Sequence, residues 1–395
     1  MNLAFISYWS LEDPLCVATV LPHVRILAEH PDINSVHLLT FERGKSPIVD
    51  LGPKIQHYVV KQPPLLGGLG FLLSYLGGLK VLLQIHFAER MELIVCRSIF
   101  AGFLGHVMFK LLGIPYTVES YEPHAQYMVE NGVWSSGSWK EKMILWWDRL
   151  VKSSAFMLYP VSEGYARVLL DEGVPKRRVE ALPCTVDLEQ FRFSQDARQQ
   201  LRTNLSIPAD ATVCIYVGKF GGMYLKEDAR PLLESVFAEI PNLYLILLTN
   251  PESTTVNNLL SSPRLVGQIR AQMVDPQAVS SHLSAADFAL VLTRPTKTSS
   301  YLSPIKIGEY LLNGLPIIIP PGIEDDSQHV KDHNLGIVLR DLENLSKNEA
   351  RSLSALIEER KSGSSRIEKL GLELRGRHLS EDTYERLIES VRLQR

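Results

Sequence analysis

The stretch SSYLSPIKIGEYLLNGLPIIIP, residues 299–320, places one acid, Glu309, in the middle of an otherwise apolar helical run. Ser303 is a good N-cap residue, Pro304 suits the first helical position, and Gly314 is placed to end the helix. The apolar residues that follow predict a buried strand. This stretch therefore predicts a helix–strand unit of an α/β sheet with a carboxylate inside the helix.

Two residues of this helix depart from ordinary helix chemistry. Lys306 occupies the position of the capping-box acid, so a cation stands at the positive end of the helix dipole, and a bound anion would remove that conflict. Glu309 lies six residues past the predicted cap, roughly 9 Å along the axis, which is about the distance from a nucleotide's phosphates to its ribose hydroxyls. A carboxylate can accept hydrogen bonds from such a diol. The alternative is a surface ion pair between the two side chains, which are three residues apart.

Composition indicates an ordinary globular protein. The chain has 395 residues, of which 45% are hydrophobic and 22% charged, with a net charge of −3. This length predicts two domains, and the mixed charge gives no footprint for nucleic acid. Four cysteines without CxxC spacing argue against a zinc site or a disulfide framework and favour a reducing, cytoplasmic compartment. The N-terminus predicts a first strand instead of a signal peptide.

Short apolar strands alternate with helical stretches over nearly the whole length, which is typical of parallel βαβ architecture. We predict two Rossmann-like doubly wound domains that face a central cleft, at residues 1–190 and 205–377. The helix at 378–395 has an apolar stripe that we expect to pack back on the first domain. The candidate strands are LAFIS (3–7), VHLLTF (36–41), QHYVV (56–60), LIVC (93–96), YTV (116–118), FMLYPV (156–161), VEAL (179–182), TVCIYVG (212–218), LYLILLT (243–249), FALVLT (288–293) and LPIIIP (315–320).

The segment IYVGKFGGMYLKED, residues 215–228, predicts a strand that enters a glycine turn and then a helix. Gly221 and Gly222 would let the backbone approach an anion at the helix N-terminus, and Lys219 could add a full charge. The spacing matches neither a dinucleotide-binding nor a Walker motif. A tight turn with a solvated lysine is the alternative.

The most hydrophobic window, residues 63–85, has an uncharged run of 17 residues that contains five glycines and two prolines. A spanning helix needs about 20 apolar residues. We therefore expect a helix packed in the core, with a helix on a membrane surface as the alternative.

Over most of its length the sequence resembles a family 4 retaining glycosyltransferase of GT-B fold. SPIKIGEYLLNGLPIII resembles the family's SP-x-K-x-x-E-Y block, YVGKFGG its phosphate loop, and PCTVDLEQF its NGVD segment. The resemblance implies that Glu309 binds the donor ribose and that base recognition falls near residues 267–270. It also implies a set of residues that meet the donor diphosphate, namely Lys219, Gly221, Gly222, Ser303, Ile305 and Lys306.

Other implied roles concern the reacting sugar. The family's first paired acid falls at Tyr301, which supplies no carboxylate, as in the SP-x-K subgroup. Within YTVESYEPHAQYM, residues 116–128, His124 is the preferred candidate for contacting the sugar or acceptor and Glu119 the second. A neutral histidine that caps a loop is the alternative for His124. In this family the leaving diphosphate is thought to take the acceptor's proton, which implies a reaction without a metal or a further cofactor.

The sequence thus predicts a cytoplasmic glycosyltransferase of hexosyltransferase type. It would move a sugar from a nucleotide-sugar donor, a UDP-sugar by preference, to a glycan or lipid-linked acceptor in polysaccharide or glycoconjugate biosynthesis. The acceptor would use residues 10–19 and the stretch 63–85, which is also the candidate contact with the inner membrane face. Two alternatives are a nucleotide-sugar 2-epimerase of the same fold and a non-catalytic nucleotide-sugar-binding protein.

Overall fold

The computed structural model describes residues 1–44, 51–63 and 68–394. The chain divides into two compact units. The N-terminal unit comprises Met1–Cys184 together with the segment that begins at His378, and the C-terminal unit comprises Thr185–Arg377. Residues 185–190, predicted in the first domain, and residues 191–204, predicted to connect the two domains, belong to the second unit.

In the N-terminal unit, six parallel strands form one sheet in the order β3-β2-β1-β4-β5-β6. These strands are β1 Asn2–Ser7, β2 Ser35–Glu42, β3 Ile55–Lys61, β4 Leu93–Arg97, β5 Tyr116–Tyr121 and β6 Met157–Pro160. The helices between them cover the sheet, so its central strands are buried and almost wholly apolar. These helices are α1 Pro14–Thr19, α2 Leu21–Glu29, α3 Gly68–Glu89, α4 Ser98–Leu112, α5 His124–Glu130, α6 Trp139–Ser154 and α7 Glu163–Asp171.

The C-terminal unit repeats this plan with the order β12-β11-β10-β7-β8-β9, again all parallel. Its strands are β7 Thr212–Val217, β8 Leu243–Leu248, β9 Ile269–Gln272, β10 Phe288–Leu290, β11 Ile317–Ile319 and β12 Gly336–Val338. Its helices are α8 Leu188–Phe191, α9 Gln195–Asn204, α10 Ala229–Glu239, α11 Thr254–Leu260, α12 Val279–Ala285, α13 Ile305–Leu312, α14 Glu324–Asp332, α15 Lys347–Lys361 and α16 Arg366–Arg375. The predicted class, two doubly wound α/β sheets, is confirmed.

Three strand predictions need correction. The segment VEAL forms no strand, because only Val179 makes an isolated bridge, to Leu158 of β6. The strands β9 and β12 were not among the candidates. The close pairing of β12 depends on Gly336, since a Cβ there would lie 1.9 Å from the carbonyl oxygen of Ile317.

The last helix, α17 His378–Leu393, packs on the N-terminal unit and contacts α2. Its buried stripe contains the residues expected from the sequence, Tyr384, Leu387, Ile388 and Val391. The chain therefore returns to its first unit after completing the second. The final residue of the predicted helix, at position 395, lies outside the described residues.

Helix α3 begins in the hydrophobic window 63–85 and extends four residues beyond it, to Glu89. Residues 64–67 of the window lie outside the described part of the chain. It contacts β2, β3 and α4, and Gly78 lets it approach the ring of Phe41. Within the described ranges it is the one helix long and apolar enough to cross a membrane, with a third of its most apolar window buried. These contacts place one face of α3 on the sheet and leave the other exposed.

Candidate functional site

Helix α13, which carries the lone acid of the opening stretch, begins one residue later than predicted. Pro304 occupies the N-cap position in an extended conformation and makes no side-chain cap. The hydroxyl of Ser303, the predicted cap, instead accepts a hydrogen bond from Nη1 of Arg375. The predicted helix end is confirmed, since Gly314 has a φ of 74° and its N–H donates to Leu311.

Lys306 is the second residue of α13 and is only 6% exposed. Its Nζ lies 4.0 Å from the ring centroid of Tyr224 and 4.9 Å from that of Tyr216. Within the described part of the chain, Nζ has no hydrogen-bond partner. The ammonium therefore has aromatic faces around it but no anion, an arrangement that is costly in a buried site.

Gly218, directly after β7, makes room for this lysine. A Cβ at Gly218 would lie 2.6 Å from Nζ of Lys306, and the φ of Gly218 is 133°, a conformation that other residues rarely adopt. Glycine is thus required here for space and for backbone geometry. The end of β7 and the start of α13 are fitted to each other around the ammonium.

Glu309 lies one turn further along α13 and is 8% exposed. No hydrogen bond or ion pair of its carboxylate is found among the residues described, and it does not pair with Lys306. The alternative of a surface ion pair is therefore wrong, because both side chains are buried and unpaired. Burial lowers the pKa of Lys306 to about 7, against the attraction of Glu309, and raises the pKa of Glu309 to about 7.

The loop between β7 and α10 brings Lys219 toward the same place. Lys219 is exposed, and its charge adds to the lowering of the Lys306 pKa. Gly221 and Gly222 follow with φ values of 83° and 64°. The prediction that this glycine turn opens a helix is wrong, because α10 begins only at Ala229.

After the glycine turn, the loop pairs with the chain beyond β10. Tyr224 forms an antiparallel bridge with Thr293, and the Leu225 N–H donates to Leu292. This pairing fixes Tyr224 beside the ammonium of Lys306. Two lysines and a glycine turn therefore meet at the carboxyl end of the sheet, where open α/β folds bind ligands.

The remaining donor-side predictions have different outcomes. Ile305 is partly buried and packs on the core beneath α13, while Tyr301 ends a 3₁₀ turn just before Ser303. The predicted base site at 267–270 is wrong, because these residues lie at the amino end of β9. The parallel register pairs Leu248 with Gln272, so the ligand-binding edge of β9 comes after Gln272.

Sequence reasoning missed three side chains of this site. The rings of Tyr216 and Tyr224 lie against the ammonium of Lys306, and no local sequence pattern indicated either of them. Arg375, at the end of α16, donates to Ser303 through Nη1 and to Asp326 through Nη2. Arg375 and Asp326 are both buried, so this ion pair anchors the entry of α13. Its members are distant in sequence, and no local pattern indicated their contact.

In the N-terminal unit, Glu119 is completely buried in β5. Its carboxylate accepts hydrogen bonds from Arg97 Nη1 at 2.7 Å and from the hydroxyl of Tyr384, and Nδ1 of His23 lies 3.2 Å away. Burial would raise its pKa, but His23 and Arg97 lower the pKa to about 2. This environment corrects the prediction: Glu119 ties α17 and α2 to the sheet instead of facing a sugar.

His124 begins α5 at the carboxyl end of β5 and is largely covered by aromatic rings. The ring of Phe100 lies 4.9 Å away and that of Trp134 5.6 Å away, both edge-on, and Nδ1 lies 3.4 Å from a carboxylate oxygen of Glu122. His124 and Glu119 thus occupy different environments. The part of the chain that the structure describes holds no cluster of three or more His, Cys, Asp or Glu side chains suited to a metal ion.

Replacing Lys306 by methionine is expected to stabilise the ligand-free protein. A buried unpaired charge gives way to an apolar side chain, which gains about 1–3 kcal/mol, or a few degrees in the melting temperature. The unfolded chain holds this proton more tightly, so wild-type stability rises as the pH increases above about 7. The gain from Lys306→Met is therefore largest at and below pH 7. Thermal melts from pH 6 to 9 measure it; Lys219→Met is the exposed control, and a loss of stability at pH 7 would contradict the assignment.

Replacing Glu119 by glutamine is expected to destabilise the N-terminal unit by about 3–5 kcal/mol, since Arg97 loses its buried partner. The ionised carboxylate stabilises the fold fully above pH 4.5, and this contribution is lost as the pH falls toward 2. The difference between the two proteins in urea unfolding should therefore narrow in acid. Glu122→Gln, a half-buried acid directly after the same strand, is the control. Equal stabilities at pH 7 would show that the network contributes nothing.

Each of the two units matches a family of glycosyltransferase domains. Residues 23–185 match the glycosyl transferase 4-like domain family, and residues 268–369 match the glucosyltransferase 3-like C-terminal domain family. No curated protein matches the sequence.

Solved structures with the same fold align over essentially the whole chain. A sucrose-phosphate synthase from Thermosynechococcus elongatus is 18% identical, with a TM-score of 0.75 and complete coverage of both chains. HepE of Anabaena in complex with UDP-glucose is 14% identical, with a TM-score of 0.71 and coverage of 99% of this chain and 100% of its own. A UDP-GlcNAc 2-epimerase from Neisseria meningitidis is 13% identical, with a TM-score of 0.61 and complete coverage of both chains.

At these identities the structures establish the fold alone, while the family matches fall on glycosyltransferase domains in both units. Together these comparisons show a GT-B fold with a match to a glycosyltransferase domain in each unit.

Proposed function

We propose that the protein is a retaining glycosyltransferase of the SP-x-K-x-x-E-Y subgroup, which transfers a hexose from a UDP-sugar to a glycan or lipid-linked acceptor. The observation that carries the proposal is the ammonium of Lys306. It is buried, it has no anionic partner among the described residues, and it stands at a helix start beside Gly218. A diphosphate supplies the anion that this place lacks.

The other proposed donor contacts come from the loop after β7 and from α13. Lys219 and the glycine turn would meet the diphosphate from the loop after β7, and the open N–H groups at the start of α13 would add donors. Glu309 would accept hydrogen bonds from the ribose hydroxyls, which explains a buried carboxylate without a partner. Because each ligand group meets an unpaired protein group, binding would relieve the cost of burying both charges.

The reaction follows from this electrostatic arrangement. The bond between the anomeric carbon and the phosphate oxygen breaks, and the acceptor oxygen forms the new bond on the same face of the sugar. The acceptor's proton passes to an oxygen of the leaving diphosphate, and Lys306 and Lys219 stabilise the charge that grows there. These cations can serve without a metal, and the nucleotide sugar is the only co-substrate proposed. His124 would contact the sugar or acceptor.

An epimerase is the second candidate, because a 2-epimerase shares the fold at a lower TM-score. Epimerisation needs acid–base groups around the sugar. Of the two predicted candidates, Glu119 is fully engaged in its buried network, which favours transfer.

Product analysis distinguishes these activities. With a UDP-sugar and an added acceptor glycan or lipid, we expect release of UDP and a new glycoside with the donor's anomeric configuration, detected by NMR. A changed sugar without acceptor would establish epimerisation. Binding without turnover for all donors and acceptors would establish a non-catalytic protein.

Replacing Glu309 by alanine is expected to weaken UDP binding by about 10- to 100-fold, the usual contribution of a hydrogen bond to a charged group. The fold should remain intact, because the carboxylate has no structural partner in the described chain. Isothermal titration calorimetry measures the affinity, and Glu343→Ala, an exposed acid of the same unit, is the control. Equal affinities for Glu309→Ala and wild type would refute the ribose assignment.

A further inference from the structure

The exposed face of α3 carries a stripe of leucines. Leu69, Leu72, Leu73 and Leu76 are each 44–58% exposed and recur at helical spacing, and Lys80 follows one turn later. A soluble protein rarely exposes so many large apolar side chains on one helix face unless that face has a partner.

Helix α6 carries a second exposed stripe. Trp139, Lys142, Trp146 and Arg149 recur at intervals of three, four and three residues, and the two tryptophans are 57% and 51% exposed. The acids of this helix are engaged elsewhere, since Glu141 accepts the N–H of Gly137 and Asp148 pairs with Lys152. The charge presented beside the tryptophans is therefore positive.

An aromatic seam joins the two helices. The ring of Trp147 lies 5.7 Å from that of Phe71 and 5.1 Å from that of Tyr75. The seam reaches the second stripe through Phe103, whose ring lies 5.8 Å from that of Trp146 and 6.2 Å from that of Tyr75. The four leucines together with Trp139 and Trp146 are hereafter the Leu–Trp face.

The seam continues to the candidate acceptor residue. Tyr8 lies 5.7 Å from Tyr75 and stacks on Phe100 at 5.0 Å, and Phe100 meets His124 at 4.9 Å. An unbroken run of aromatic contacts therefore connects the Leu–Trp face with His124.

We propose that the Leu–Trp face docks on an anionic bilayer and presents a lipid-linked acceptor to the region of His124. Leucines on one face, tryptophans at the interface and lysine or arginine beside them are the features with which helices lie on membranes. The basic stripe decides between occupants, because it is attracted to anionic headgroups and repels a second copy of itself. The choice of a lipid-linked acceptor rests on the proposed glycosyltransferase function.

Flotation of the full-length protein with vesicles tests the docking. We expect strong co-flotation with phosphatidylcholine vesicles that contain phosphatidylglycerol, and weak co-flotation with phosphatidylcholine alone. The double variant Leu72→Glu/Leu76→Glu should bind at least about tenfold more weakly, since apolar area is lost and negative charge added. Lys142→Gln/Arg149→Gln should reduce the preference for anionic vesicles and its sensitivity to salt. Phe87→Glu is the control, a 76% exposed residue near the other end of α3.

Several outcomes would overturn the proposal. The first is that the wild type does not co-float with vesicles at low salt. The second is that the double variant and the control co-float equally. The third is that light scattering shows a wild-type dimer and a monomeric double variant. Circular dichroism and UDP titration confirm that each variant is folded. If the protein co-floats with vesicles but transfers no sugar, the proposed function is refuted and the membrane-docking proposal is supported. If it transfers sugar to soluble glycans but does not co-float, the docking proposal is refuted and the proposed function is supported.

Discussion

The buried ammonium of Lys306 is the constraint to which the rest of the candidate site is fitted. An unpaired cation in the interior opposes folding, so its position must be enforced by its surroundings. Gly218 leaves it space, Tyr216 and Tyr224 offer it the faces of their rings, and α13 holds its backbone. These contacts reduce the cost of the charge without neutralising it, which is the environment that the proposed diphosphate would complete.

More distant parts of the C-terminal unit support this place. The buried ion pair of Arg375 with Asp326 fixes Ser303 and thereby the start of α13. The loop after β7 pairs with the chain beyond β10, which sets Tyr224 over the ammonium. The site thus combines a stable frame with two unfavourably buried groups, Lys306 and Glu309. Such local conflicts are common where a protein binds a ligand, because binding recovers the free energy that the conflict costs.

The sequence predicted the fold and singled out Lys306, the centre of the candidate site, because both depend on local signals. Apolar strands without alternation gave two doubly wound sheets, and the position of Lys306 in its helix indicated an anion. Features that depend on distant contacts were not predictable. The exact helix start depends on Arg375, far along the chain, and the structural role of Glu119 depends on Tyr384 of the last helix. The base site was misplaced because β9 is short and begins later than its apolar residues suggest.

The most direct test of the account is a crystal structure of the protein with UDP. We expect Nζ of Lys306 to lie within hydrogen-bond distance of a diphosphate oxygen and the carboxylate of Glu309 to accept hydrogen bonds from both ribose hydroxyls. A UDP bound elsewhere, or one that leaves Nζ of Lys306 enclosed by Tyr216 and Tyr224 without a phosphate contact, would contradict it.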